Sequence, residues 1–328
     1  FESAAAERLR QRSEGGGIRE CHGDLHLANM ALLSGDVVPF DAIEFDPELR
    51  FTDVMADVAF TVMDLDYRGR PDLGWRFLNR YLEGTGDYAG VAVLPFYKAY
   101  RALVRAKVEV LQARDAADPE PRRAAAARFV ALAEGYTQPG EPLLVITRGV
   151  TGVGKSLASG GVLPELGAVR IRSDVERKRL AGLDPEADAG AEVGGGLYAE
   201  GMSERTYARL LEQARPVLAA GIPVVLDATY LAAERRSAAR TLAAELGVPF
   251  AILALEAPEA QIRAWLRERA ESTTVSDGDE AVLDHHLATA EPLDSRERGH
   301  TLRVDTRAAL DFGAIAADLR ETAAVPGA

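Results

Sequence analysis

Between residues 143 and 304 the chain alternates short apolar runs with longer stretches in which apolar residues recur at helical spacing. The runs at 143–146, 169–171, 224–226, 250–255 and 302–304 predict strands. Strands interleaved with helices imply a parallel sheet covered on both faces. Upstream the pattern differs. Over 94–112, Phe96, Tyr100, Leu103, Val104 and Leu111 share one face while Lys98, Arg101, Arg105 and Gln112 lie on another, which predicts an amphipathic helix. Residues 122–135 read as an Ala-rich helix and 2–12 as a polar helix-like segment. The runs 30–33 and 37–40 flank Ser34-Gly35-Asp36, a hairpin signal.

The fold class expected is therefore two domains, a mainly α-helical part with a short β-hairpin and then an α/β three-layer part with a parallel sheet. At 328 residues the chain is long enough for two cores. The segment Thr137-Gln138-Pro139-Gly140-Glu141-Pro142 has the composition of a linker, and a polar turn with two prolines occupies 115–121. These features set the boundary at 1–140 and 141–328. There is no repeat of fixed period.

Residues 149–156 read Gly-Val-Thr-Gly-Val-Gly-Lys-Ser, the full G-x-x-x-x-G-K-[ST] phosphate-binding pattern, between an apolar run and Leu157-Ala158. That strand-then-helix setting is what the motif requires. Gly149, Gly152 and Gly154 allow a tight turn, so that amides of Thr151, Gly152, Val153 and Gly154 can face one phosphate. The helix that follows adds its positive end. Lys155 would reach the β- and γ-phosphates, and the Ser156 hydroxyl would ligate Mg²⁺. The chain has four lysines, at 98, 107, 155 and 178, so a lysine here by chance is improbable. The motif predicts binding of ATP or GTP.

Two acids extend this reading. Val224-Val225-Leu226-Asp227 is an apolar run ending in a carboxylate, expected near Mg²⁺ in P-loop proteins. Asp174 follows the 169–171 run, at the strand end where open α/β sheets bind ligands. It could accept the proton of an attacking hydroxyl, or cap a helix at 175–180, and the two roles are compatible.

Together with Gly149–Ser156 and Asp227-Ala228-Thr229-Tyr230, the run from Arg172 to Arg179 and the pair Ser276-Asp277 make residues 142–320 resemble small-molecule P-loop kinases. The group is that of the gluconate-kinase, polynucleotide-kinase and chloramphenicol-phosphotransferase types. The resemblance implies that Asp174 binds or deprotonates an acceptor hydroxyl. It also implies a mobile lid over 262–276 that supplies Arg269. A second lid arginine usual in the group falls on Trp265 here, with Arg263 and Arg267 as nearby substitutes.

A second constellation lies near the start. Residues 22–29 read His-Gly-Asp-Leu-His-Leu-Ala-Asn, and 40–46 read Phe-Asp-Ala-Ile-Glu-Phe-Asp. Paired strands lie ~4.8 Å apart, so the hairpin would return Asp41 close to Asn29. An amide and a carboxylate beside Asp24 would make a Mg²⁺ site next to a general base. Residues 18–113 resemble the C-terminal lobe of aminoglycoside and choline kinases. That resemblance implies Asp24 as base, His22 as a loop scaffold, Asn29 and Asp41 as Mg²⁺ ligands and Asp57 as a structural brace. A two-metal hydrolase built on Asp24-x-His26 would need further ligands, and the remaining histidines, 285, 286 and 300, lie beyond the linker. Only 21 residues precede His22, too few for the nucleotide-gripping lobe of a kinase of this type, and the segment reads as the tail of a longer protein.

The net charge of −13 argues against nonspecific binding to nucleic acid or an anionic membrane surface. It leaves open a small polyanion in a locally basic pocket. No apolar stretch approaches the ~20 residues of a membrane span. One cysteine, Cys21, excludes an internal disulfide and fits a reducing cytoplasm, and it reads as a small buried hydrophobe rather than a nucleophile. The whole resembles a bacterial two-domain family with an aminoglycoside-phosphotransferase-like domain fused to a P-loop domain. It implies Mg²⁺-dependent transfer of the ATP γ-phosphate to a small-molecule hydroxyl. An ATP-dependent switch, or an ATPase without an acceptor, is the alternative.

Overall fold

The computed structural model describes residues 2–185, 200–271 and 280–324, without the side chains of 2–5, 200 and 269–271. By backbone contacts the chain divides into two compact units, Phe1–Leu82 with Asp87–Gly140, and Glu83–Gly86 with Glu141–Ala328.

The first unit opens with α1 (Glu2–Glu14), β1 (Ile18–Glu20), a 3-10 turn (Leu27–Asn29), β2 (Met30–Leu33) and β3 (Asp36–Pro39). It continues through α2 (Pro47–Arg50), β4 (Phe51–Asp53), α3 (Val54–Tyr67), α4 (Pro71–Thr85), α5 (Leu94–Ala113) and α6 (Glu120–Tyr136). Strands β2 and β3 pair antiparallel with Leu33 opposite Asp36, so the turn is the two residues Ser34 and Gly35. Both have positive φ, 52° and 97°, the geometry that suits the right-handed twist of the flanking strands. Strands β1 and β4 pair Ile18 with Asp53 and Glu20 with Phe51, closing the base of everything between them.

Helices α3, α5 and α6 share a core of Phe60, Met63, Ala99, Ala102, Ala106, Phe129 and Ala133. The alanines let the helices approach closely, and the Tyr67 and Phe129 rings stack at 3.8 Å. Arg12 of α1 is the main polar tie. Its guanidinium makes a two-pronged bond to Asp53, at 2.6 Å from each oxygen, and reaches Asp87 at 2.8 and 2.9 Å. Asp53 also accepts the Met55 amide and so caps α3.

The second unit runs β5 (Leu144–Arg148), α7 (Lys155–Leu166), β6 (Val169–Arg172), α8 (Ser173–Leu180), α9 (Glu200–Ala219), β7 (Val224–Asp227) and α10 (Ala233–Leu246). It ends with β8 (Phe250–Glu256), α11 (Glu259–Glu271), α12 (Glu280–Thr289), α13 (Ser295–Gly299), β9 (Thr301–Asp305) and α14 (Phe312–Ala323). Among the described residues five strands pair in parallel in the order β6-β7-β5-β8-β9. From β5 the chain first moves to one side, to β6 and β7, and then to the other, to β8 and β9. The C-terminal end of β5 is therefore a topological switch point, where open α/β sheets bind ligands.

Leu144, Val145 and Ile146 are fully buried, as expected of a strand covered on both faces. Val145, Val225, Ala251 and Leu253 pack with Val162 and Leu163 of α7, Ile262 and Leu266 of α11, Leu283 of α12 and Leu319 of α14. At one point the Phe312 ring of α14 lies directly against the main chain of α7, where a Cβ on Gly161 would collide with it. Arg236 is fully buried. It pairs with Glu297 at 2.7 and 3.1 Å and donates to the carbonyls of Leu231 and Pro292. Among the described residues no helix is long and apolar enough to cross a membrane.

Candidate active site

The loop after β5 owes its shape to contacts with each successive residue. The Gly149 amide donates to the Thr229 carbonyl at 3.1 Å, and a Cβ there would come 2.7 Å from Val153 Cγ1 and 3.0 Å from the Leu255 carbonyl oxygen. Gly152 has φ +77°, and its missing Cβ would lie 2.9 Å from the Leu266 side chain. Gly154, at φ +92°, precedes the first turn of α7. All three positions thus need glycine, two for positive φ and two for space. Thr147 clasps the neighbouring strand, donating to the Ala228 carbonyl at 2.7 Å and accepting the Ala228 amide at 3.1 Å.

Lys155 Nζ donates to the Val150 carbonyl at 2.7 Å, which folds the lysine over the loop. Ser156 is exposed on the first turn of α7. Asp227 ends β7 beside β5 and is buried. It accepts the Ser159 hydroxyl at 2.9 Å, with Arg170 and Arg172 each 3.9 Å away. Ser159 lies one turn along α7 from Ser156, so the hydroxyl that meets Asp227 directly is not the one the sequence pattern names. Asp174 is in the first turn of α8, half exposed, and binds Arg177 Nη1 at 2.9 Å.

His286 of α12 was not singled out by the sequence, yet it enters this site. The Thr151 amide donates to its Nδ1 at 3.2 Å. Burial above all, then the charges of Lys155, His285 and Arg177, push the imidazole down to about 4, with Asp174 opposing. The imidazole is therefore neutral at neutral pH and keeps Nδ1 as an acceptor. Its electrostatic neighbours bring Lys155 and Asp174 around one ring. No sequence signal pointed to it, since α12 lies more than a hundred residues from the loop.

The proposed lid divides. Ile262 and Leu266 are core residues, and Trp265 packs against the same cluster, so the first half of 262–276 is a packed helix. Arg263 bonds Glu280 at 3.2 Å and Asp284 of α12, and Arg267 bonds Glu280 at 2.7 Å. The two substitute arginines thus hold α11 to α12. The Arg269 side chain, and Ser276 and Asp277, lie outside the described residues.

In the first unit the loop 22–29 is held mainly by one face of α3. Asp57 accepts the amides of His22 at 2.8 Å and Gly23 at 3.1 Å. One turn on, the Thr61 hydroxyl donates to the Leu25 carbonyl at 2.8 Å, and Asp64 accepts the Leu27 amide at 3.0 Å. Spacing of four and then three residues puts these groups on one stripe. His22 donates from Nε2 to the Phe40 carbonyl at 2.9 Å and accepts the Asp24 amide at Nδ1, 3.3 Å away.

Asp24 meets Asn29 Nδ2 at 3.1 Å and His26 Nε2 at 3.4 Å. His26 chiefly, with Asn29 and Arg101 adding, holds the Asp24 carboxyl below the usual carboxylate range against the opposing effect of burial. The Phe40 amide donates to the Asn29 carbonyl at 3.0 Å, which brings the backbone at Asp41 back beside Asn29. Asp41 itself is exposed with φ +61°. Burial, with Asp57 nearby, pushes the Cys21 thiol up to about 11, so it stays protonated.

Among the described residues no three or more His, Cys, Asp and Glu side chains are grouped to hold a metal by themselves. Ser156 and Asp227 each offer an oxygen of the kind that suits Mg²⁺, which commonly takes one or two protein ligands and completes its shell with water and phosphate.

Comparison with known protein families gives a match within the second unit. A family model described as an AAA domain matches residues 144–293. The match takes in strand β5, the 149–156 loop and strands β6 to β8. An uncharacterized protein of Mycobacterium bovis and one of Mycobacterium tuberculosis are each 36% identical over 235 residues, covering 71% of this chain and 47% of the relative. The chain thus spans about half the length of the curated relatives it matches. Among solved structures, similarity extends to a sugar kinase from Janibacter, with TM-score 0.41 and 20% identity over 56% of this chain and 96% of that one. A gluconokinase from Sinorhizobium meliloti gives 0.37 and 23% over 57% and 90%. The Mycobacterium tuberculosis APS kinase in complex with AMPPNP and APS gives 0.40 and 19% over 56% and 98%. Scores this low do not assign an activity to the present chain.

Proposed function

We propose that the chain is a Mg²⁺-dependent phosphotransferase that moves the ATP γ-phosphate to the hydroxyl of a small molecule. One observation carries the reading: a glycine-shaped loop at the switch point of a parallel sheet delivers Lys155 and Ser156 to the start of a helix, one turn before the Ser159 that bonds the Asp227 carboxylate. The amides of Gly152, Val153 and Gly154 and the Lys155 ammonium hold the phosphates. Ser156 and Asp227 would hold the metal ion, whose chemistry there would be to supply positive charge to the phosphates. Asp174, released from Arg177, orients the acceptor hydroxyl and takes its proton. Arg269, in the last turn of α11, stabilises the developing charge.

In the first unit Asp24 is a base, and Asn29 and Asp41 are metal ligands of a kinase-like lobe.

Titration of MgATP into the intact chain and into Lys155→Ala tests the nucleotide site. Full loss of binding in the variant supports it, and unchanged binding overturns it. Phosphate transfer to a panel of sugars, amino alcohols and choline then tests the acceptor. Wild type should turn over with one class and Asp174→Asn should not. An Asp174→Asn chain that keeps full function while Lys155→Ala loses it would mark an ATP-dependent switch instead.

A further inference from the structure

We propose that His286 is a positioning residue for the phosphate cradle, tying helix α12 to the third residue of the loop. The proposal rests on the nucleotide reading above but concerns how the cradle is kept in shape. Four consecutive loop residues are gripped by side chains of α7, α11 and α12. Lys155 of α7 binds the Val150 carbonyl at 2.7 Å. His286 of α12 takes the Thr151 amide at 3.2 Å. Leu266 and Ile262 of α11 fill the space against Gly152. Val153 is buried in the core that contains Leu283 of α12.

Of these grips, His286 is the polar one that comes from outside the β5–α7 segment. Without it the Thr151 amide loses its acceptor in a half-buried loop. The ring must be neutral to accept, and a neutral ring also adds no positive charge beside Lys155. Helix α12 is itself fixed to α11 through Arg263 and Arg267 on Glu280, and through Arg263 on Asp284. Movement of either helix is therefore passed to the main chain between Val150 and Val153.

The test uses two variants of the full chain. His286→Leu keeps bulk and removes the acceptor, while His286→Asn keeps a side-chain oxygen that can take the amide. The first readout is hydrogen exchange at the Thr151 amide in the nucleotide-free chain. Leu should speed it about tenfold or more, and Asn should restore much of the protection. The second is MgATP affinity, which should fall about tenfold with Leu and within about threefold with Asn.

Equal exchange in all three chains overturns the proposal, as does equal weakening by Leu and Asn, which would mark a packing role. Tighter binding in Leu also overturns it, because the imidazole would then be a competitor of the nucleotide. Failure of wild type to bind MgATP would sink the nucleotide reading, and the exchange experiment would still decide the anchoring.

Discussion

In the loop 149–156 three of eight residues are glycine, and its own main chain does most of the shaping. In the loop 22–29 the main chain is instead held by carboxylates and a hydroxyl that arrive from α3, more than thirty residues away. Both segments end as ordered turns presenting acidic or cationic chemistry. The first pays in composition, since only glycine fits at 149, 152 and 154. The second places few conformational demands on its own residues but depends on three positions of one helix. A backbone-built loop should fail when one functional side chain goes. A side-chain-braced loop should fail in steps as the braces are removed.

The largest effect expected is functional. Lys155→Ala should lower turnover by ~10²–10³, about 2.7–4 kcal/mol of transition-state stabilisation, with little change in melting temperature. Steady-state kinetics with a calorimetric melt of the same sample checks both halves. A large fall in melting temperature would mean that the Lys155 bond to Val150 is structural, and the contrast between the loops would weaken.

Next comes Asp57→Ala, which orphans the amides of His22 and Gly23 and leaves Arg101 without the carboxylate 3.7 Å away. It should cost about 2–3 kcal/mol by denaturant unfolding and leave MgATP affinity at the P-loop unchanged. Thr61→Val removes a single bond to Leu25 and should cost about 1 kcal/mol, seen as a shift in the denaturation midpoint at constant slope.

The smallest effect separates the loops by pH. The His286 imidazole takes its proton near 6.5 in the unfolded chain and near 4 in the folded one. Between those values the unfolded state holds more protons, so this contribution to stability falls as pH drops from about 6.5 towards 4. Lys155, His285 and Arg177 favour the neutral ring, and Asp174 opposes them. The Asp24 carboxyl is held below its usual range, so its contribution persists across that window and is lost only as pH falls further. Amide exchange at Thr151 should therefore quicken between pH 6.5 and 4, after correction for intrinsic rates.

The same difference explains what could be read from the sequence. The run 143–146 became β5 at Leu144–Arg148, and 302–304 became β9 at Thr301–Asp305, because buried parallel strands leave continuous apolar runs. The hairpin was legible because Ser34-Gly35 satisfies a local dihedral requirement. The pairing of β1 with β4 was not, since three-residue strands more than thirty positions apart carry no local signal. Thr61 and Asp64 were missed for the same reason. Their partners are main-chain groups of the 22–29 loop, and any sequence offers main-chain groups there. Arg12 looked like one polar residue in a polar helix, and only the fold places two carboxylates around it. His286 becomes a site residue only through the position of α12.

The bare contact between Gly161 and Phe312 constrains how this chain can drift over generations. A larger residue at 161 is admissible only after the ring at 312 has shrunk, and a smaller residue at 312 opens a void that invites growth at 161. Neither change is neutral alone, so the two codons should be inherited as a matched pair. Among descendants of a common ancestor, sequences with glycine at 161 should keep an aromatic at 312. Those with a side chain at 161 should carry a small residue there.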